Sequence, residues 1–440
     1  MSELDSLLEA LGALHPRRID LSLGRIERLL DRLGRPQDRL PPVIHVAGTN
    51  GKGSAIAFLR AMLEAAGYSA HVYTSPHLVR FNERIRLGRA GGGRLVDDAM
   101  LVEAIRHVLA VNGGEPVTFF EVTTAVAFHL YAEHAADFCL LEVGLGGRFD
   151  ATNVVAEPLA AAIASVSHDH ADFLGDDLAG IAAEKAGILK RGRPAIIGPQ
   201  NEHALAMIAV EADAAGAELF RHGSEYVAFA EHSRLVYQDD AGLLDLPLPR
   251  LPGAHQLENA GLAVAILRGA GIRLDAKAIE AGLTTAEWPA RLQRLRSGPL
   301  VDVVPPGSEI WLDGGHNPAA GAAIAQTLAE FEERDPRPLV LICGMLTTKN
   351  PDGYFRPFAG LARRAMTVPV PGSHSGFDPK RLAAMAIGAD VPAAPFKNVH
   401  AALDWLRDDF EGKSPAPRIL ICGSLYLAGE VLKENGPWPE

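Results

Sequence analysis

The segment Gly48-Thr49-Asn50-Gly51-Lys52-Gly53-Ser54 carries the strongest chemical signal in the chain. Glycines let a backbone turn tightly and bring its N–H groups onto a polyphosphate. A helix that starts there adds positive potential, and Lys52 supplies a mobile cation. Ser54 is placed to reach a phosphate or a magnesium ion. The pattern departs from the strict G-x-x-x-x-G-K-[ST] loop, because Val46 stands where its first glycine would fall and Gly53 follows Lys52. The bland alternative is a glycine-rich turn with one exposed lysine. The context disfavours it: an apolar run, Val43–Ala47, precedes the segment, and a helix-period stretch from about Gly53 to Ala66 follows.

Three more segments put polar groups where strands should end. Thr74-Ser75-Pro76-His77 follows the apolar run Ala70–Tyr73, Glu142 closes Phe138–Val143, and Ser167-His168-Asp169-His170 closes Ala160–Val166. In an open α/β sheet, ligands bind beyond the carboxyl ends of the strands, so all three point to the rim that holds the glycine loop. A hydroxyl, a carboxylate and an imidazole converging there suit magnesium, which favours hard oxygen ligands and keeps several waters. Taken singly each is a capping or loop residue; four polar strand ends in one sheet favour a site. Gly144-x-Gly146-Gly147 lacks the spacing and the acidic partner of a dinucleotide fingerprint. Lys185 lies in the short helical segment Ile181–Ile188 among apolar residues, and an ammonium near magnesium is repelled unless chemically modified.

These groups must be held by a large fold. The chain has 440 residues, 48% of them apolar and 22% charged, which allows two or three domains with buried cores. Lysine plus arginine is 42 against 54 acidic residues, net −12, which argues against a generally basic nucleic-acid or membrane binder. Cys139, Cys343 and Cys422 each sit in an apolar run and read as buried thiols in a reducing compartment. No stretch approaches the ~18 apolar residues that span a bilayer, and the N-terminus reads as a short amphipathic helix, not as a signal peptide. A cytoplasmic protein is expected.

Short apolar runs alternate with helical segments through Gly198, which predicts a mainly parallel sheet with helices on both faces. Residues 226–246 alternate like a small antiparallel appendage at one edge, and His255–Gly269 reads as a helix. After Trp288–Gly298 the rhythm restarts: strands at Ile310–Asp313, Leu339–Cys343, Ala365–Val368 and Ile419–Cys422, and helices at Pro318–Glu333, near Tyr354–Arg363, at Pro379–Ala386 and at Val399–Asp409. The expected division is residues 1–293, a linker at 294–298, and a second domain at 299–440.

In order along the chain, IDLSLGRI, VAGTNGKGS, TSPHLVRFNERI, TFFEVTTA, LLEVGLGGRFDATN, HDHADFLG, IAAEKAGI, HQLENA, WPARLQ, LDGGHNP, LICGMLTTKN and LICGSLYL resemble segments of the folylpolyglutamate synthase/dihydrofolate synthase family, relatives of the Mur ligases. The resemblance implies an N-terminal P-loop ATPase domain and a smaller, Rossmann-like C-terminal α/β domain that ligates glutamate. It also implies ATP-dependent amide formation through an acyl phosphate. By position, Gly48, Thr49, Asn50, Gly51, Lys52, Gly53 and Ser54 match the ATP phosphate loop, and Asn259, Arg291 and Asp313 match further ATP contacts. Ser75, Glu142 and His170 match ligands of two magnesium ions, and Lys185 matches a lysine carried as a carbamate, which resolves the electrostatic objection above. Lys52, Lys185 and His316 fall at catalytic positions, with Asn317 beside His316. Asp20, Leu21, Ser22, Leu23, Thr118, Phe119, Phe120 and Glu121 match segments that hold the pterin-bearing substrate.

Two departures stand out. Gly315 replaces the alanine of the family's D-G-A-H-N-P motif, and Ala290 replaces the usual glycine in WPARLQ. The implied substrates are ATP, L-glutamate, dihydropteroate and reduced folates, acted on by a monomer without nucleic-acid or membrane partners. Three alternatives remain: folylpolyglutamate synthase activity alone, a Mur-type ligase acting on a nucleotide-sugar peptide, and a non-catalytic P-loop switch.

Overall fold

A computed structural model describes residues 3–13, 22–169, 175, 177–372, 375–436 and 438. Eight strands form the first sheet: β1 (Val43–Ala47), β2 (Ala70–Tyr73), β3 (Ile85–Leu87), β4 (Arg94–Leu95), β5 (Phe138–Glu142), β6 (Ala160–Ile163), β7 (Pro194–Ile197) and β8 (Glu218–Arg221). Their order is β4-β3-β2-β5-β1-β6-β7-β8. Only the β2–β3 and β3–β4 pairs are antiparallel. Every residue of β1 is buried, as its position between β5 and β6 requires. From β1 the chain crosses to β2 on one side, and from β5 it crosses over β1 to β6 on the other, so a crevice opens at the carboxyl end of β1.

The alternating segment forms a separate sheet of β9 (Tyr226–Glu231), β10 (Arg234–Asp239) and β11 (Gly242–Pro247), and is not an extension of the first. It packs on the helix Ala254–Gly269, whose Gly261 lies so close to Ala228 that a Cβ would overlap it. The third sheet is β12 (Gln293–Leu295), β13 (Glu309–Leu312), β14 (Leu339–Cys343), β15 (Ala362–Thr367), β16 (Ala393–Pro395) and β17 (Arg418–Cys422). Its order is β12-β13-β17-β14-β15-β16, parallel except for β12 against β13. The chain therefore enters this sheet at Gln293, within the stretch expected to act as a connector.

The strand expected at Ala365–Val368 runs from Ala362 to Thr367, and two further expected elements differ. The strand read at Ala160–Val166 ends at Ile163, because the Ser165 carbonyl turns away to accept the Thr49 N–H at 2.8 Å and the Asn50 N–H at 3.3 Å. The helix read near Tyr354–Arg363 is a short helix, Pro351–Phe355, followed by a 3-10 turn, Arg356–Phe358. Pro357 cannot donate its backbone nitrogen and Gly360 adopts φ +75°, so the chain reverses and Ala362 starts β15. Among the described residues no helix is long and apolar enough to cross a membrane. Cys139, Cys343 and Cys422 are buried thiols.

Candidate active site

The carboxyl ends of the first and third sheets meet across a cavity of about 500 Å³. From the first sheet it is lined by Thr49, Asn50, Gly51, Lys52, Gly53 and Ser54 after β1, Ser75 after β2, Glu142 at the end of β5, and Asp169 after β6. From the third it is lined by Asp313 and His316 after β13, Lys349 after β14, and Ser424 and Tyr426 after β17. Asn259 and Arg291 complete the wall. Residues scattered over most of the sequence are thus collected at strand ends, the place where an open α/β sheet binds ligands.

Backbone geometry explains the glycines of the loop. Gly51 has φ +88° and opens the helix Lys52–Ala65; a Cβ on it would overlap the Asn259 side-chain amide. A Cβ on Gly53 would meet the Trp288 indole at 2.6 Å. Lys52 curls over the loop, donating to the Gly48 carbonyl at 3.1 Å and lying 4.0 Å from a Glu142 oxygen. Glu142 also accepts the Ser75 N–H at 3.1 Å, and burial raises its pKa although Lys52 opposes the shift.

Lys185 reaches the loop from a second helix. Asp177 caps its helix, Leu178–Ala186, by accepting the N–H groups of Ala179 and Gly180. The helix fits against Gly147, where a Cβ would meet the Glu184 carbonyl at 2.6 Å, so this glycine serves close packing and not a dinucleotide. The Lys185 ammonium, buried, donates to the same Gly48 carbonyl at 3.1 Å. Burial, and then the charge of Lys52, bring its pKa down to about 7.

Residues 46–267 match the Mur ligase middle domain. The chain is 39% identical over 385 residues to the dihydrofolate synthase/folylpolyglutamate synthase of Mycobacterium tuberculosis, covering 80% of this chain and 75% of that protein. It belongs to the dihydrofolate synthase/folylpolyglutamate synthase family. The structure of E. coli FolC in complex with DHPP and ADP, 32% identical, matches with a TM-score of 0.85 over 98% of this chain and 97% of that one. A Yersinia pestis bifunctional folylpolyglutamate synthase/dihydrofolate synthase complexed with AMPPNP and a Mn ion, 31% identical, matches with a TM-score of 0.85 over 98% of each chain.

The two departures from the family pattern have local consequences. Ala290 takes φ +54° and Leu292 φ +40°, so a turn that favours glycine is built from residues with side chains around Arg291. The turn is tied down: the Ala290 carbonyl accepts the Gly314 N–H at 2.9 Å and the Arg291 guanidinium at 2.8 Å. Asp313 accepts the N–H groups of Leu292 at 2.8 Å and Gly315 at 2.6 Å. At Gly315, a Cβ would meet Ile324 Cδ1 at 2.8 Å and Ala320 Cβ at 3.0 Å, so the missing methyl group is matched by the packing of Ile324.

The expected substrate segments fare differently. Asp20 and Leu21, and the metal-site candidate His170, lie outside the described residues. Ser22 and Leu23 lead into the helix Gly24–Arg32. Thr118 and Glu121 form a capping box on the helix Phe119–Glu133, and the Glu121 carboxylate also takes the Arg25 guanidinium at 3.0 Å. Phe119 packs edge-on against Phe81, and Phe120 fills the space that a Cβ on Gly144 would need. Among the described residues of these segments, Ser22, Leu23, Thr118, Phe119, Phe120 and Glu121 do not line the cavity that contains the loop.

Sequence reasoning put Asp169 in a polar strand end at the rim but assigned no role to it or to Lys349. The Asp169 carboxylate accepts from Lys349 Nζ at 2.6 Å and from the Asn317 amide at 3.1 Å, with His316 Nε2 at 3.5 Å. His316 Nδ1 lies 2.8 Å from the Gly314 carbonyl, which can only accept, so that nitrogen carries the proton. The signal available was position: Asp169 and Lys349 both follow strands, in the polar segments HDH and TTKN.

Proposed function

We propose that the protein is an ATP-dependent ligase that joins L-glutamate to 7,8-dihydropteroate and adds further glutamates to reduced folates. The observation that carries the reading is the meeting of the glycine loop with Ser75, Glu142, Arg291, Asp313 and His316 around one cavity. ATP lies with its phosphates on the N–H groups of residues 48–54 and beside Lys52, with Asn259, Arg291 and Asp313 as further contacts. The donor set suits magnesium: Glu142 and Ser75 offer hard oxygens on the cavity wall. Among the described residues no three His, Cys, Asp or Glu form a metal cluster, and Glu142 and Ser75 would hold the ion from this wall. When bound, the ion neutralises charge between the terminal phosphates.

The chain's own groups supply the rest. The substrate carboxylate and the γ-phosphate are both anionic, and Lys52 with the loop N–H groups lowers their repulsion as charge spreads over the transferred phosphoryl group. The carboxylate oxygen bonds to phosphorus as the bond to ADP breaks. The glutamate amine then attacks the acyl carbon and phosphate leaves. His316 and Arg291, at the cavity wall, are placed to stabilise these anions. Lys185 acts as a carbamate: its amine, made partly neutral by burial, adds to CO₂ with loss of a proton and becomes an anion. The pterin-bearing substrate reaches the site along Asp20–Leu23 and Thr118–Glu121. The enzyme works as a cytoplasmic monomer.

The test is an assay of purified protein with dihydropteroate and with tetrahydrofolate, separately, reading products by mass spectrometry. Glutamylation of both supports the reading. Glutamylation of tetrahydrofolate alone restricts it to folylpolyglutamate synthase, and glutamylation of neither rejects it.

A further inference from the structure

We propose that Asp169 is a positioning residue that locks the second domain onto the phosphate loop and so brings Lys349 and His316 to the reacting end of ATP. This rests on the ligase reading above and adds a residue that the reading does not use. Asp169 follows β6, the strand beside β1, while Lys349 and Asn317 follow β14 and β13 of the other sheet. Its two carboxylate oxygens therefore gather two separate strand-end loops, with partners 180 and 148 residues away in sequence. Asn317 is in turn bonded to Asn50 in the loop itself, at 3.0 Å.

The contacts form one chain from the phosphate loop through Asn317 and Asp169 to Lys349. Its members Asn50, Asp169 and Lys349 line the nucleotide cavity together with His316. The Asp169 and Lys349 side chains are only 7% and 9% exposed, so the pair is desolvated in this arrangement. A buried ion pair tolerates the loss of one partner badly, because the other charge is left without compensation. Separating the domains would return both charges to water. The pair therefore favours one approach of the domains over others, and makes that approach depend on a specific geometry.

Charge accounts for its location. Lys52 already sits at the Gly48 carbonyl. A further lysine delivered by the second domain would be repelled by it without a carboxylate beside the newcomer. Asp169 supplies it, so Lys349 can sit at the phosphate end of the cavity. The nucleotide has its own contacts on the loop, so the lock should govern turnover more than ATP capture.

The experiment uses the full chain with Asp169→Asn, Lys349→Met and the double variant. Each is assayed with ATP, dihydropteroate and glutamate, while ADP affinity is measured directly by calorimetry. Each single variant is expected to lower kcat by at least about tenfold, with ADP affinity and half-saturating magnesium changed by less than about threefold. The double variant is expected to be no slower than the worse single one, because both changes break one pair. Small-angle scattering without substrates is expected to give a larger radius of gyration for both single variants. Wild-type kcat in either single variant, or losses that multiply in the double one, would overturn the proposal. So would an Asp169→Asn protein whose defect lies in ADP or magnesium affinity alone. Wild-type protein without glutamate-dependent turnover would reject the ligase reading instead. The scattering comparison would still decide the lock: equal radii would refute it.

Discussion

The side-chain amides of Asn50 and Asn317 form a reciprocal pair across the two domains, the Asn317 amide donating to Asn50 at 3.0 Å and the Asn50 amide donating to Asn317 at 3.3 Å. Asn317 does a second job, because its oxygen also caps the helix Pro318–Arg334 by accepting the Ala320 N–H at 2.9 Å. The phosphate loop is thus hydrogen-bonded to the start of a helix in the other domain. Asn317→Asp separates the two roles: it keeps the cap and puts a carboxylate where the amide donates to Asp169. Turnover is expected to fall about tenfold or more while circular dichroism stays native. Asn317→Ala loses the cap as well and is expected to unfold about 1 kcal/mol more easily in urea.

The turn around Arg291 carries strain that glycine would release. Ala290→Gly is expected to preserve activity and to change stability by no more than about 1 kcal/mol, since relief at φ +54° is partly offset by a looser unfolded chain. Gly315→Ala restores the family residue but crowds Ile324, and is expected to cost about 1–3 kcal/mol. Adding Ile324→Val should recover part of that loss in denaturant titrations. Full tolerance of Gly315→Ala alone would contradict the packing account.

What could be read from the sequence follows the range of each interaction. The strands Val43–Ala47 and Ala70–Tyr73 match the expected runs end to end, because each is short, apolar and buried on both faces. The loop after Ala47 could be read for the same reason: its chemistry and its turn lie in consecutive residues. The Asp169–Lys349 pair could not, since its partners are 180 residues apart and each alone looks like a strand-end polar residue. Thr118–Glu121 shows a second kind of difficulty. The T-x-x-E spacing is a local capping signal, and the structure spends the Glu121 carboxylate on the Thr118 N–H and on Arg25. The replacement of glycine by Ala290 could be read from the sequence, but the positive φ there and at Leu292 became visible only through the backbone angles.

Lys185 makes a prediction in pH. With its pKa near 7 in place of 10.5, the neutral amine that reacts with CO₂ is already abundant at neutral pH. After removal of CO₂, the rate of reactivation at fixed dissolved CO₂ is expected to rise about tenfold between pH ~6 and ~8 and then level off. An ordinary lysine would gain about a hundredfold over that interval without levelling. In the unmodified protein the depressed pKa penalises the folded state fully below about pH 7, and the penalty fades as pH rises toward 10.5. Carbon-13 bicarbonate labelling gives the direct readout. An enzyme fully active with an unmodified ammonium would contradict the assignment.

Lys52→Ala removes the cation that spans the Gly48 carbonyl and the Glu142 carboxylate. Because both pterin substrates depend on the same phosphoryl transfer, turnover is expected to fall by about a thousandfold or more with each. A folded variant that retains activity with one of them would separate the two reactions.

The central claim is that one cavity couples ATP cleavage to amide formation between a pterin carboxylate and glutamate. It is tested most directly by measuring ADP release from purified protein while dihydropteroate and L-glutamate are omitted in turn. The account predicts sustained ADP release only when both are present, with one glutamylated product formed per ADP. ADP release at the same rate without dihydropteroate or without glutamate, or sustained release with no glutamylated product, would contradict it.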